Sequence, residues 1–125
     1  MDAGIENLLM LDGEIIEADS ELEYFARFSA IRADITEGRP NGIKYSLTLH
    51  DKDNQRLMGF DNAHAIEDKR KGKFSHHRKV TRWDHKHKFK DVRVVVPYEY
   101  ETAEKLLTDF WIAVDEAIAL DKQRR

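Results

Sequence analysis

The sequence predicts an α+β fold: an antiparallel meander of about four or five strands, packed on one face against a long C-terminal helix. Three observations lead to this prediction. Apolar and polar residues alternate from Ile43 to His50, as in a half-buried antiparallel strand. A polar turn separates this segment from a second strand-like segment, and from Thr102 onwards apolar residues recur at helical spacing. With 125 residues, 41% of them hydrophobic, residues 1–125 are expected to form a single domain around one two-layer core.

The N-terminal part of the chain predicts a strand pair followed by a further strand. Two short apolar runs between Leu8 and Glu17 flank Asp12-Gly13. This dipeptide favours a two-residue hairpin, because both of its residues tolerate a positive φ. The segment from Leu22 to Ile35 fits both strand alternation and helical spacing, and its aromatic content favours the strand.

The middle of the chain predicts a β-hairpin. The sequence GRPNG at 38–42 interrupts regular structure and precedes the alternating segment that starts at Ile43. Residues 51–54 form a polar turn, and Arg56 to Asp61 returns as the partner strand. The hairpin therefore places Asp61 at its far end, next to the residues that follow.

The C-terminal half predicts a loop, two extended segments and a helix. Asp68 to Lys79 is expected to form a loop. His85 and His87 are two residues apart, so an extended chain places both on one face. The segment from Val92 is a strand that ends at Pro97, and the periodic segment from Thr102 to Lys122 is a helix with Thr102 as its N-cap.

Positive charge is concentrated between Lys69 and Arg93. This segment holds eleven lysines and arginines against two aspartates, a local formal charge of +9, whereas the whole chain carries −3. Five of the six histidines lie at positions 64–87. The molecule is therefore expected to be polarised, with one face that attracts phosphate.

The composition excludes several classes of site. The chain has no cysteine, which removes disulfides, thiolate zinc sites and cysteine nucleophiles. Its N-terminus shows no cationic region followed by an apolar core, so no signal peptide is expected. No apolar run approaches the roughly 20 residues that span a bilayer. These features are typical of a cytoplasmic protein without a membrane partner.

Several segments, in this order, resemble the TumE family of toxins from bacterial and archaeal type II toxin–antitoxin systems. The resemblance runs from about Leu11 to Ile118, and the segments that carry it are IKYSLTL, GFDNAH, DHKH and PYEYETAEKLLTDFWIAVDEAI. The chain departs from the family pattern in its basic insert at Lys69 to Lys73, and in having Ala65 where glycine is expected.

The resemblance implies a small toxin encoded beside a cognate antitoxin, often one with a helix-turn-helix DNA-binding domain. It does not bring a defined chemical mechanism. A homodimer is one of the assemblies that the sequence allows. By position, the polar residues shared with the family are Asp61, Asn62, His64, His76, His77, Asp84, His85 and His87.

The residue types of the basic segment suit metal-free cleavage of RNA. That reaction needs a base for the ribose 2′-OH, an acid for the leaving 5′-oxygen, and cations for the charge on phosphorus. Imidazole serves both proton-transfer roles near neutral pH. We interpret His85 and His87 as the acid and base and Asp61 as the residue that orients a histidine, and His76 completes the candidate catalytic set.

The remaining candidates are residues for binding the RNA strand. Arg78, Lys79 and Lys88 are expected to hold phosphates, and Trp83 and Phe89 to stack against bases. The nucleic-acid-binding candidates are Lys69, Arg70, Lys71, Lys73, Arg78, Lys79, Arg82, Trp83 and Lys88.

Two alternatives stay open at this point. A basic surface holds nucleic acid without cutting it, through neutralised phosphates alone. A metal-dependent nuclease is the second alternative, although no cofactor is required by the first interpretation and the ligand spacing is unspecific. The residues suited to bind Zn²⁺, Mn²⁺ or Ni²⁺ are Asp61, His64, His76, His77, Asp84, His85 and His87.

Structural roles compete with these functional ones. His50 is interpreted as a surface residue, and Asp61 and Asn62 end a hairpin, where such side chains often bind their own backbone. Phe110 and Trp111 are expected in the core.

Overall fold

The structure is a computed structural model that describes residues 3–37, 39–62, 66–67, 81–82, 85–88 and 91–123. Side chains are described over 3–37, 39–62 and 97–123. Along these residues the elements are α1 (Ile5–Met10), β1 (Ile15–Glu17), β2 (Tyr24–Arg32), β3 (Ile43–Asp51), β4 (Arg56–Asp61), β5 (Ile66–Glu67), β6 (Thr81–Arg82), β7 (His85–Lys88), β8 (Asp91–Pro97) and α2 (Ala103–Gln123).

The strands form an antiparallel sheet in the order β1-β2-β3-β4-β7-β8, and β5 pairs with β6 in a separate two-stranded ribbon. The hairpin of β3 and β4 turns at Asp51, whose Oδ1 accepts hydrogen bonds from the backbone N–H groups of Asp53 and Gln55. Asn54 supplies the positive φ of this turn, at 62°. The α+β fold with an antiparallel meander and a long C-terminal helix is confirmed.

Helix α2 covers one face of the sheet. The alternating residues Tyr24, Ala26, Phe28 and Ala30 of β2 are buried, and the strand favoured for the segment from Leu22 to Ile35 is confirmed. The fully buried Phe110 of α2 meets Phe28 at a ring-centroid distance of 5.6 Å and Phe60 at 6.0 Å, in edge-on geometry. The helix begins after Thr102, whose Oγ1 accepts a hydrogen bond from the Lys105 N–H at 3.0 Å. The predicted N-cap is therefore confirmed.

The predicted strand pair between Leu8 and Glu17 is wrong. Residues 5–10 form helix α1, and the short strand β1 pairs with β2 instead. Tertiary packing decides this, because Leu8 is fully buried in the core. The turn residues bind β2: Asp12 Oδ1 accepts from the Ala30 N–H at 2.9 Å, and the Gly13 N–H donates to the Phe28 carbonyl at 2.8 Å.

The remaining predicted elements follow the sequence closely. The extended segments containing His85 and His87 and starting near Val92 are β7 and β8. The loop expected at 68–79 and Gly38 lie outside the described residues. Within the described part of the chain, neither helix combines the length and apolar character needed to span a membrane.

Candidate functional site

The sheet face opposite α2 carries polar residues; we name it the open face. On β3 the residues between the buried ones project to this face, as the alternating burial of the strand shows. Antiparallel pairing continues the face across the neighbouring strands, since directly paired positions lie on the same side of a sheet. Its described side chains include Arg27 and Ser29 of β2, Ser46, Thr48 and His50 of β3, and Arg56 and Asp61 of β4.

The register of β4 and β7 places both candidate histidines beside β4. His85 is paired with Asp61, and His87 is paired with Gly59. Because neighbouring strands are about 4.8 Å apart, positions 61 and 85 are direct neighbours although 23 residues lie between them in the chain. Three of the four candidate catalytic positions are thus adjacent, and the fourth, His76, lies outside the described residues.

Asp61 is a nearly buried carboxylate, with a side chain only 10% exposed. Its Oδ2 lies 3.9 Å from Nη2 of Arg56. This distance is too long for a hydrogen bond but short enough for the two opposite charges to attract each other. The pair provides a fixed negative and a fixed positive group next to the two histidine positions of β7.

Gly59 gives the Arg56 guanidinium its place on the strand. A Cβ atom at position 59 would lie 2.9 Å from Nη2 of Arg56 and 3.0 Å from the Leu47 carbonyl oxygen. Only glycine avoids both close contacts, so it allows Nη2 of Arg56 to approach the backbone of β4 at this position. This contact explains why the segment from Gly59 to His64 begins with a glycine.

Asn62 has a structural role. Its Oδ1 accepts from the Tyr45 N–H at 2.9 Å, and its Nδ2 donates to the Ile43 carbonyl at 3.0 Å. The buried amide side chain therefore continues the pairing with β3 beyond the end of β4. The Asn62 carbonyl accepts from Nε of Arg39 at 3.2 Å, which ties the preceding loop to the same point. The expectation that a side chain at the end of the hairpin binds backbone is thus met at Asn62.

His50 belongs to the open face, and sequence reasoning assigned it no role. It is half-buried, is paired with Phe25 on one side and Arg56 on the other, and has Nε2 2.8 Å from Thr48 Oγ1. Burial is the main cause that lowers the pKa of His50 below 6.5. The charges of Arg27 and Arg56 lower it further, against the opposing effects of the Asn54 backbone and Asp51.

Arg56 was also missed, because strict alternation from Asp61 would place position 56 on the core face with Met58 and Phe60. The pairing of β3 and β4 shifts between Leu49 and His50, so that His50 pairs with Arg56 while Leu49 pairs with Met58. Such a bulge inserts one residue and returns the following side chain to the other face. Thr48 and His50, in contrast, occupy alternate positions of β3, between the apolar residues that are buried. The alternation in the sequence therefore already places both of them on the open face.

The pKa of His50 predicts a pH dependence of stability. The folded-state pKa lies below the unfolded value of about 6.5, so the unfolded chain takes up the proton first as the pH falls. The stability that depends on neutral His50 is fully present above about pH 6.5 and is lost as the pH falls through this value toward the folded pKa. We expect the free energy of unfolding, measured in urea, to fall less between pH 7.5 and 5.5 in His50→Gln than in the unchanged chain.

Thr48→Val is the matched control for this measurement. It removes the 2.8 Å contact but leaves the buried imidazole to titrate. The control is expected to keep the pH dependence even if its overall stability changes. Equal pH dependence in His50→Gln and the unchanged chain would contradict the prediction.

The other predicted residues are placed as follows. Arg82 lies in β6 and Lys88 in β7. Over the residues that the structure describes, no group of three or more histidine, aspartate or glutamate side chains is arranged to hold a metal ion. The candidates outside the described residues are His64, Lys69, Arg70, Lys71, Lys73, His76, His77, Arg78, Lys79, Trp83, Asp84 and Phe89.

Comparison with known proteins identifies the chain at the level of family. A sequence model of the family described as "Toxin TumE" matches residues 6–118, nearly the whole chain. No curated protein and no solved structure matches the chain. The match includes the open face, with Asp61 and the histidine positions of β7.

Proposed function

The chain belongs to the TumE toxin family, and we propose that it is the toxin of a type II system that inhibits growth by cleaving RNA at the open face. The observation that carries this proposal is the β4–β7 register, which pairs Asp61 with His85 and Gly59 with His87. The cation-rich segment from Lys69 to Arg93 supports RNA as the substrate, since it supplies eleven positive charges near these positions in sequence. We place this activity in the cytoplasm, where the RNA is.

The reaction needs two proton transfers around one phosphorus atom. One imidazole of the pair His85 and His87 takes the proton of the ribose 2′-OH, and the 2′-oxygen forms a bond to phosphorus. The bond from phosphorus to the 5′-oxygen breaks, and the second imidazole donates a proton to that oxygen. The products are a 2′,3′-cyclic phosphate and a 5′-hydroxyl, without a metal or any other co-reactant.

The spacing of the histidine positions suits these two roles. Positions two apart in a strand are separated by about 7 Å, which lets one imidazole serve the attacking oxygen and the other the leaving oxygen. Asp61, paired with His85, would accept a hydrogen bond from an imidazole N–H and fix its orientation. His76 stays part of the proposed catalytic set on sequence grounds.

The experiment that tests this function uses labelled single-stranded RNA and the same RNA with 2′-O-methyl riboses, in the presence of EDTA. We expect the first RNA to yield fragments with cyclic phosphate ends, and the methylated RNA to be bound but uncut, because it lacks the nucleophile. Full-length RNA that only migrates more slowly in a gel would instead identify a non-catalytic binder. Cleavage that EDTA abolishes would identify a metal-dependent nuclease.

Membership of a toxin family implies an antitoxin partner in general. We propose that the partner is a cognate antitoxin that is encoded beside the toxin and carries a helix-turn-helix DNA-binding domain. This antitoxin covers the basic segment and presents carboxylates in place of phosphates. Reversing the charges of Lys69, Arg70 and Lys71 to glutamate should then weaken the complex at least about tenfold and reduce its salt dependence. The measurement is a titration of the two purified proteins at two salt concentrations.

Lys52→Glu is the control for the antitoxin measurement. Lys52 is an exposed cation in the turn between β3 and β4 and lies outside the basic segment. Its reversal is expected to change the affinity by less than about threefold. A triple variant that binds the antitoxin as tightly as the unchanged toxin would refute this mode of neutralisation.

A further inference from the structure

We propose that Arg56 holds the phosphodiester that is cleaved, through the paired donors Nε and Nη2 of its guanidinium group. The identity of the ligand as an RNA phosphodiester rests on the proposed function, whereas the presence of an anion site at Arg56 rests on the geometry alone.

The first observation is that the Arg56 donors are buried and unfilled. Nε and Nη2 are both inaccessible to solvent and have no hydrogen-bond partner among the residues that the structure describes, although the side chain as a whole is 34% exposed. These two atoms form one edge of the guanidinium plane, the edge that binds carboxylates and phosphates with two parallel hydrogen bonds. Leaving such donors unfilled in a buried place is unfavourable, and an incoming anion would satisfy both.

The second observation is that Asp61 does not fill this role. Its Oδ2 is 3.9 Å from Nη2, beyond hydrogen-bond distance. The carboxylate attracts the guanidinium, but at this distance it accepts no hydrogen bond from Nη2. Arg27 and Arg56 both act on His50 electrostatically, so this part of the open face holds two guanidinium groups together with the carboxylates of Asp51 and Asp61.

The third observation is the position of the guanidinium relative to β7. Nη2 lies against Gly59, the residue paired with His87, and near Asp61, the residue paired with His85. An anion bound at this edge would therefore lie beside Gly59 and Asp61, the two positions of β4 that are paired with His87 and His85. The bulge that brings Arg56 to this face is of the kind that often redirects a side chain beside an active site.

The chemistry explains why an arginine is useful here. As the 2′-oxygen attacks, negative charge grows on the non-bridging oxygens of the phosphorus atom. A planar guanidinium with two parallel donors matches two of these oxygens and is already in place, so no reorganisation is needed when the charge develops. A lysine at the same position keeps the charge but loses the paired geometry.

The test combines nuclear magnetic resonance and kinetics. In a chain labelled with ¹⁵N-arginine, the Nε–H signal of Arg56 is identified by its loss in Arg56→Lys. Inorganic phosphate, and then the 2′-O-methyl RNA, should shift this signal with saturation. The signal of the exposed Arg27 is the internal control and should move less.

In the cleavage assay, Arg56→Lys should lower kcat by about 10²-fold while KM changes little, and its urea unfolding midpoint should stay close to that of the unchanged chain.

The outcomes separate this inference from the proposed function. Saturable phosphate binding at Arg56 in a protein that cuts no RNA supports the anion site and refutes only the ribonuclease. RNA cleavage that continues at the normal rate in Arg56→Lys, with an Arg56 signal that neither phosphate nor RNA moves, overturns this inference and leaves the ribonuclease intact.

Discussion

Replacing both His85 and His87 with alanine is expected to lower the rate of RNA cleavage by about 10⁴-fold or more and to abolish growth inhibition. In the proposed mechanism each imidazole contributes one of the two proton transfers, and general acid–base catalysis by a placed group is worth about 10²–10⁴-fold. The fold should persist, because β7 is paired with β4 and β8 through its backbone. The rate is measured with labelled RNA, and toxicity with induced expression in cells that lack the antitoxin.

Lys86→Ala is the matched control within the same strand. Lys86 is paired with the core residue Phe60, so its position belongs to the opposite face of the sheet from His85 and His87. This variant is expected to cut RNA within a few-fold of the normal rate. The single variants should each remove one limb of the pH–rate profile, since the proposed mechanism uses one histidine as base and the other as acid. A double variant that is folded and still toxic would refute the proposed roles.

Phe110→Ala is expected to have the largest effect on stability, a loss of about 3–5 kcal/mol in the free energy of unfolding. The ring is fully buried and contacts Phe28, Phe60 and Trp111 with centroid distances of 5.5–6.0 Å. Its removal leaves a cavity between α2 and the sheet that neighbours cannot fill. Since whole domains are stable by only about 5–15 kcal/mol, the variant should be partly unfolded at 37 °C and lose toxicity for that reason.

The control for Phe110→Ala is Ile112→Ala in the same helix, where the side chain is 53% exposed. Its expected cost is less than about 1 kcal/mol, because little apolar area is lost. Urea denaturation of both variants measures the difference. A cost below about 1.5 kcal/mol for Phe110→Ala would show that α2 is not the main cover of the sheet.

Alternation and helical periodicity were sufficient to predict most of the fold. The segment from Ile43 to His50 has the alternation of a strand because every second side chain is buried in the core. Helix α2 has helical periodicity because its buried residues, such as Leu106, Phe110 and Val114, form one apolar face that packs in the same core. Helix α1 was not predictable in this way. Its six residues are too few to show helical periodicity in the sequence. The helical conformation depends on tertiary packing, since it buries Leu8 fully in the core.

The site was predictable only in part. The histidines of β7 and Asp61 stood out by residue type, but their pairing depends on a register that the 23 intervening residues do not encode locally. Arg56 was hidden by the shift of pairing at His50, which reverses its face. The resemblance to TumE toxins identified the polar positions of Gly59 to His64, and the structure divides them into the buried carboxylate of Asp61 and the strand-ending amide of Asn62.

The division of the sheet into a face packed by α2 and a face bearing the candidate chemistry has a genetic consequence. Substitutions at His85 and His87 would silence the toxin without changing the shape that its antitoxin recognises. Such a silent copy would still occupy antitoxin molecules and withdraw them from active toxin. Producing the double variant in cells that carry a neutralised toxin–antitoxin pair should therefore provoke growth arrest, and continued growth would mean that the antitoxin needs those imidazoles to bind.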